Sequence, residues 1–522
     1  MKTHRLLSTL VALVFCTFSL AGAAASPLPP DLDAYVREVM TTFEVPGLAL
    51  SVVVDGEVAL AQGYGLRRLG GPEAVDAHTL FGIASNTKVA TAAALGMLVE
   101  EGKLEWDAPV VRYLPAFQLW DPWVTREITV RDLLVHRSGL GLGAGDLLWW
   151  PPSTYDRKEV MRRLRHIPPA TSFRSAYAYD NVLYIVAGEL IEAVSGKSWE
   201  VFVTERILKP VGMADSNVFH SQAAGTGNVA VPHARVEGRV QPVEPFASDT
   251  TNPAGGINAS AADMAKWLAV LVAEGKLPGG GRLFSEATWK EIGSLVVPIP
   301  IGDPPPGLEA LRPQFLGYGL GMGVRDYRGH KVLTHGGGLP GYVSRVYLVP
   351  GRKLGIAVLT NQEADDAYNA ILYRLVDHLM GFPPTDWLAT FREAAGKRAE
   401  EAAKTEAEAT AGRAAEAPPS LPLAGYAATY RDAWYGEVTI ALEGKGLVIR
   451  FGATPSLVGD LEPWQHDTFV ARWRDRSLRA DAFVTFALGP EGKVEQAKMK
   501  AVSPSTDFSF DFHDLLLLPV LE

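Results

Sequence analysis

The chain contains one cysteine in 522 residues, Cys16, and it falls inside the N-terminal apolar run. Disulfides, zinc–thiolate sites and a cysteine nucleophile are therefore excluded together for everything downstream. Long apolar runs are equally scarce. No segment after Leu20 reaches the roughly 20 apolar residues that a bilayer crossing requires. Positive charge is in deficit, with 49 Lys and Arg against 59 Asp and Glu, and no basic stripe stands out. That balance argues against nucleic acid as a partner. Two motifs are also missing. The 11 histidines include no H-E-x-x-H pair, and no G-x-S-x-G elbow occurs. Neither a metal-dependent hydrolase nor a Ser-His-Asp enzyme of that type is expected, and no metal or other cofactor is called for.

What is present begins with a leader. Lys2 and Arg5 precede an apolar run from Leu6 to Leu20, and Ala23-Ala24-Ala25 offers a small-residue cleavage site. Residues 1–25 read as a signal peptide, and the bulky Phe15 before Cys16 argues against lipid attachment. The expectation is an exported protein, periplasmic or secreted, with no membrane span.

At this length two domains are the default. "LALSVVVDGEVALAQGYG" (48–65) places two β-rich runs around Asp55-Gly56, a hairpin signal. "YVSRVYLVPGRKLGIAVLTN" (342–361) repeats the pattern around Pro350-Gly351. Helical stretches lie between, one from Val182 to Ser195 stopped by Gly196 and one capped by Ser260 with Asp263 three residues on. Strands at both ends with helices between predict an α+β domain over 26–390, an antiparallel sheet packed with a helical region. Residues 391–419, rich in Ala, Glu, Lys and Arg, read as a charged helical linker. Residues 420–522 read as a small all-β, barrel-like domain, with "VTIAL", "LVIRF", "TFVARW", "AFVTFAL" and the alternating Phe508, Phe510 and Phe512.

Three stretches carry chemistry. In "FGIASNTKVA" (81–90), Ser85 stands three residues before Lys88 at the head of an alanine-rich helix, which puts both on one face. A serine hydroxyl needs a base, and a buried lysine with a lowered pKa can be one. The same letters also read as a helix cap followed by a surface charge. In "FRSAYAYDN" (173–181), Tyr179 beside a lysine ammonium could lose its proton more easily and shuttle one, and Asn181 could donate to a substrate carbonyl. A core tyrosine before a capped helix reads equally well. In "VLTHGGGLPG" (332–341), glycines leave no side chain between backbone and ligand, so an N–H there could form part of an oxyanion hole with His335 in the same space. A flexible loop is the alternative. Trp149 and Trp150 either line a pocket or pack in a core.

In this order, with "LLVHRSGLG" (133–141) and "NPAGGINASAADMAKWL" (252–268), these stretches resemble the serine β-lactamase-like and penicillin-binding-protein family. The resemblance is to the branch with class C β-lactamases, D-aminopeptidases and related esterases. It covers roughly Leu32 to Gly381 and implies an acyl-enzyme hydrolase of amide or ester bonds in small molecules or short peptides. Ser85 is then the nucleophile, Lys88 and Tyr179 move protons, Asn181 and His335 face substrate, and backbone N–H groups of Ser85 and the Gly337-Gly338 segment hold the oxyanion. The C-terminal part is similar to the lipocalin-like barrel appended to some members, which implies a role in substrate access or homo-oligomer formation. His335 stands where penicillin-binding members commonly have lysine, so a free substrate carboxylate lacks its usual cation. That departure counts against penicillin hydrolysis and against carboxypeptidase action at a D-Ala-D-Ala end, while aminopeptidases and esterases of the family accept histidine there. The resemblance together with the export signal leans towards a peptidase, with a carboxylesterase or weak β-lactamase as alternatives. An inactive binding or regulatory protein on the same fold is the alternative of another class.

Overall fold

A computed structural model describes residues 27–223, 227–411, 413 and 417–520; the expected signal peptide lies outside them. One antiparallel sheet organises the first domain. Its eight strands run, edge to edge, Glu57–Gly65, Gly47–Val54, Leu354–Thr360, Tyr342–Val349, His330–Leu339, Gly323–Tyr327, Leu316–Tyr318 and Val297–Pro298. N- and C-terminal runs pair one strand in from an edge, with Leu50 opposite Val358. The Asp55-Gly56 hairpin forms as expected, both residues taking the positive φ (53° and 86°) of the tight turn that matches strand twist.

Both faces of the sheet are covered, which is why its inner strands read as near-continuous apolar runs. Leu48, Leu50 and Val52 point into a core shared with the helices Leu32–Thr42 and Asp365–Met380. Ala49 and Val53 point the other way, into a larger core built on the helices Lys88–Glu100, Val182–Ser195 and Ala261–Val272. Ser260 caps the last of these through the Asp263 N–H, and Gly196 ends Val182–Ser195 at φ 72°. Among the described residues no helix is long and apolar enough to cross a membrane.

The charged stretch is helical over Trp387–Ala411, starting four residues before the run read from composition. Its first turns belong to the core: Trp387, Phe391 and Ala394 are buried, and Trp387 Nε1 donates to Asp377 Oδ2 at 2.9 Å.

The C-terminal domain is a closed eight-stranded antiparallel barrel from Ala428–Asp432 to Leu516–Pro519, joined where Tyr430 pairs with Pro519. Aromatic rings fill it, Tyr426, Phe469 and Phe486 meeting in one cluster and Phe451, Trp473 and Phe512 in another. Side chains alone can fill a barrel of this size. One expectation fails here. Phe508, Phe510 and Phe512 lie on no strand; they belong to the connection between the last two strands. Their alternation arises because Phe510 and Phe512 pack into the barrel end while Phe508 reaches Tyr179 of the other domain, ring centroids 5.9 Å apart.

Candidate active site

Ser85 is not in the alanine-rich helix but in the 3-10 turn Ala84–Thr87 that precedes it, and Lys88 is the helix's first residue. In a 3-10 turn positions i and i+3 eclipse, which brings the two side chains together more directly than an α-helix would. Ala84 enters that turn at φ 50°, a strained conformation for a non-glycine residue. Ser85 caps no helix: its Oγ accepts from Tyr179 Oη at 2.8 Å and from Lys88 Nζ at 3.0 Å.

Lys88 is fully buried, opening a helix whose residues are buried from Lys88 through Leu98. Its Nζ also donates to Asn181 Oδ1 at 2.8 Å and to the Ala254 carbonyl at 3.0 Å, and lies 4.8 and 5.0 Å from the ring centres of Tyr179 and Tyr184. Burial lowers the ammonium from 10.5 to about 7, against the upward pull of Asp146 and Asp180. Keeping it charged is then about 5 kcal/mol harder than in water. A neutral amine near pH 7 is what a serine base requires.

The same burial acts on Tyr179 in the opposite sense. Its phenol is pushed well above the usual value, and the bond to Ser85 offsets this only partly. The expectation that proximity to lysine would loosen its proton is corrected: desolvation of the phenolate dominates, and Tyr179 is a donor to Ser85 in the resting site. The His136 ring packs 4.3 Å from the Tyr179 ring and accepts the Asp180 N–H on Nδ1 at 3.1 Å, fixing the loop before the Val182–Ser195 helix.

Asn181 is also committed differently from expectation. Its amide Oδ1 faces Lys88, and its Nδ2 donates to Asp146 Oδ2 at 2.9 Å. His335 is buried beside the site, its Nε2 2.7 Å from Tyr318 Oη, and burial drives it down to about 3, so it is neutral. It supplies no fixed cation.

The His330–Leu339 strand pairs on both sides only as far as Thr334, opposite Gly323. From His335 to Leu339 it keeps only its ladder with Tyr342–Val349, so its other edge is open beside Ser85. The two expected glycines separate here. A Cβ on Gly337 would meet the Ile83 carbonyl oxygen at 2.3 Å, so Gly337 lets the strand close onto the serine turn. A Cβ on Gly338 would meet nothing within 4 Å, and Gly338 lines the cavity.

That cavity, about 280 Å³, is lined by Ser85, Tyr179, Asn181, His335, Gly338 and Trp149 among others. Trp149 and Trp150 therefore both pack in the core and form its wall. It shares Trp150, Gly336, Gly338, Leu339 and Asp507 with an outer chamber of about 840 Å³ between the domains.

Contributors missed from sequence include Asp146 and Thr251, and Asp507, Phe508 and Ser509 of the barrel. Asp146 is fully buried and accepts from Asn181, from Ser509 Oγ at 2.9 Å and from Trp149 Nε1 at 3.0 Å. Gly143, at φ 70°, admits the Phe508 backbone, whose carbonyl oxygen would lie 2.7 Å from a Cβ there. Asp511 accepts the Gly145 and Leu147 N–H groups. Only the alternating phenylalanines could have drawn attention to this segment.

The antiparallel sheet packed between helices is the fold of the β-lactamase and penicillin-binding class. Residues 32–380 match the Beta-lactamase family model, and the chain belongs to that family; residues 412–518 match a domain of unknown function, DUF3471. The unguisins hydrolase ungD of Aspergillus violaceofuscus is 29% identical over 504 residues, covering 90% of this chain and 87% of its own. Penicillin-binding protein 4 of Amycolatopsis lactamdurans is 28% identical over 354 residues, covering 65% and 87%. The octameric penicillin-binding protein homologue from Pyrococcus abyssi shares the fold at a TM-score of 0.59 and 22% identity, over 94% of this chain and 99% of that one.

Proposed function

We propose that the protein is an exported serine hydrolase that cleaves amide or ester bonds through an acyl-enzyme, with peptides as its preferred substrates. The observation that carries this is the convergence of a fully buried lysine amine and a protonated tyrosine on one serine oxygen, at 3.0 and 2.8 Å. Neutral Lys88 takes the Ser85 proton as Oγ bonds to the carbonyl carbon. The oxyanion is received by the Ser85 N–H and the N–H at Gly338. As the bond to the leaving group breaks, Tyr179 passes its proton to the leaving nitrogen or oxygen and is reprotonated from Lys88. Water then reverses the sequence, releasing the acid and returning the proton to Ser85.

The peptide preference has two supports. The open edge of His335–Leu339 can pair with an extended backbone. Among the described residues no lysine or arginine lines the inner cavity, so a substrate carboxylate meets no fixed cation there. This disfavours penicillin hydrolysis and favours cleavage of bonds away from a carboxyl end. An outer chamber of about 840 Å³ has room for several residues of a short peptide. The unguisins hydrolases, similar along nine-tenths of the chain, accord with hydrolysis by this two-domain arrangement. Homo-oligomer formation is a further proposal, in keeping with the octameric homologue.

Relative kcat/KM on aminoacyl and peptidyl anilides, short-chain esters and nitrocefin tests the preference. Mass spectrometry should locate the acyl group on Ser85 in the wild type and nowhere in Ser85→Ala. An acyl adduct retained in Ser85→Ala would sink the assignment, and nitrocefin outrunning every anilide would sink the peptide preference.

A further inference from the structure

We propose that Asp146, held in place by Ser509 of the barrel, is a positioning residue that sets the working charge of Lys88, so that the C-terminal domain completes the catalytic apparatus. This rests on the serine-hydrolase reading only for its catalytic consequence. The chain of contacts is continuous: Ser509 Oγ donates to Asp146 Oδ2, Asn181 Nδ2 donates to the same oxygen, and Asn181 Oδ1 accepts from Lys88 Nζ. All four side chains are buried. Trp149 Nε1 serves the other carboxylate oxygen from three residues on, whereas Ser509 arrives from a segment anchored on the barrel and pinned by Asp511 to the backbone of Gly145 and Leu147.

Burial raises the Asp146 carboxyl to about 7, with Asn181, Ser509, Trp149 and Lys88 pulling it back down. Asp146 and Lys88 thus change charge in the same pH range, and each stabilises the other's ionised form. The other ionisable groups facing them are Asp180, Asp511, His136, His335, Tyr179 and Tyr184, with Tyr318 one contact further out on His335. Burial holds both histidines neutral-ward and the three tyrosines protonated; Asp511 is pushed well up by burial and by Asp146. Replacing the Asp146 carboxylate by an amide removes a charge that favours the Lys88 ammonium, so Lys88 should lose its proton at lower pH. Removing the Ser509 hydroxyl should do the same more weakly, by leaving Asp146 protonated to higher pH.

The experiment titrates the full-length wild type, Asp146→Asn, Ser509→Ala and the double variant in two ways. One is the Lys88 15Nζ chemical shift. The other is the pH dependence of Ser85 labelling by a fluorophosphonate probe. In Asp146→Asn both midpoints should move down by about one pH unit, and in Ser509→Ala by about half of that. The double variant should match Asp146→Asn, because the hydroxyl acts only through the carboxylate. Unmoved Lys88 titration in the single variants, or labelling that falls equally at every pH, would overturn the proposal. A shifted Lys88 titration with Ser85 unlabelled in every protein would instead uphold the contact chain and remove the hydrolase reading.

Discussion

Two aspartates of the helical region are equally buried, and their carboxyls move in opposite directions. Asp132 closes a loop by accepting from the Thr129 N–H and hydroxyl, and it meets the guanidinium groups of Arg137 and Arg174. Burial pushes it up, but those partners together hold it below the ordinary carboxylate value. Asp146 is met only by neutral donors and the distant ammonium of Lys88, and it rises to about 7. Burial alone therefore does not distinguish a structural carboxylate from one at a reactive site. The distinction lies in whether a fixed cation compensates it.

The strongest way to break this contrast is at the cation shared by the reactive region. Lys88→Ala should lower kcat/KM by about three orders of magnitude or more, since it removes the base outright. The fold should persist, because removing the amine also removes the cost of burying its charge, which offsets the cavity and the donor lost by Asn181 Oδ1 and the Ala254 carbonyl. Circular dichroism with single-turnover acylation checks both; turnover near wild type would assign the base elsewhere. Gly337→Ala should cost about a hundredfold, because its Cβ would meet the Ile83 carbonyl oxygen at 2.3 Å and push the strand edge from Ser85. An unchanged kcat/KM in that variant would mean the strand edge holds no part of the transition state.

The pH profile sharpens the same comparison without mutation. Lys88 must be neutral to act, so kcat/KM should rise with pH through about 7. A limb near pH 4 would point to a carboxylate base, and one above pH 9 to an amine that burial does not depress.

Much of this arrangement was legible from residue order, and the reasons for the rest are local. Apolar runs broken at Asp55-Gly56, and Ser260 with Asp263, announced sheet and helix because their signals are contained within a few residues. Ser85, Lys88, Tyr179, Asn181 and the glycine strand were legible as spaced motifs; the structure gathers Ser85, Tyr179, Asn181 and Gly338 around one cavity, with Lys88 buried against Ser85. Asp146 was not legible. It sits in "GAGDLLWW" with no partner nearby in sequence except Trp149, and its decisive contacts come from Asn181 and Ser509. Ser509 in turn was hidden by an alternation that reads as a strand and serves two domains. The Tyr179 proton was misjudged because the letters show a neighbouring lysine but not the depth of burial, and depth decides the sign.

The smallest effect on activity is expected at Asp132, where it isolates what compensation does. Asp132→Asn keeps an acceptor for the Thr129 groups but removes the charge that Arg137 and Arg174 share. Breaking a buried pair can cost 3–5 kcal/mol, but both guanidiniums retain some access to water. A loss of about 2–3 kcal/mol in urea unfolding is therefore expected, with kcat/KM changed less than about threefold. The acid limb should stay where it is in the wild type, because Asp132 is absent from the groups that act on Lys88. If the limb moved in Asp132→Asn as far as in Asp146→Asn, any negative charge in the helical region would serve. The contact through Asn181 would then have no special part in tuning the lysine.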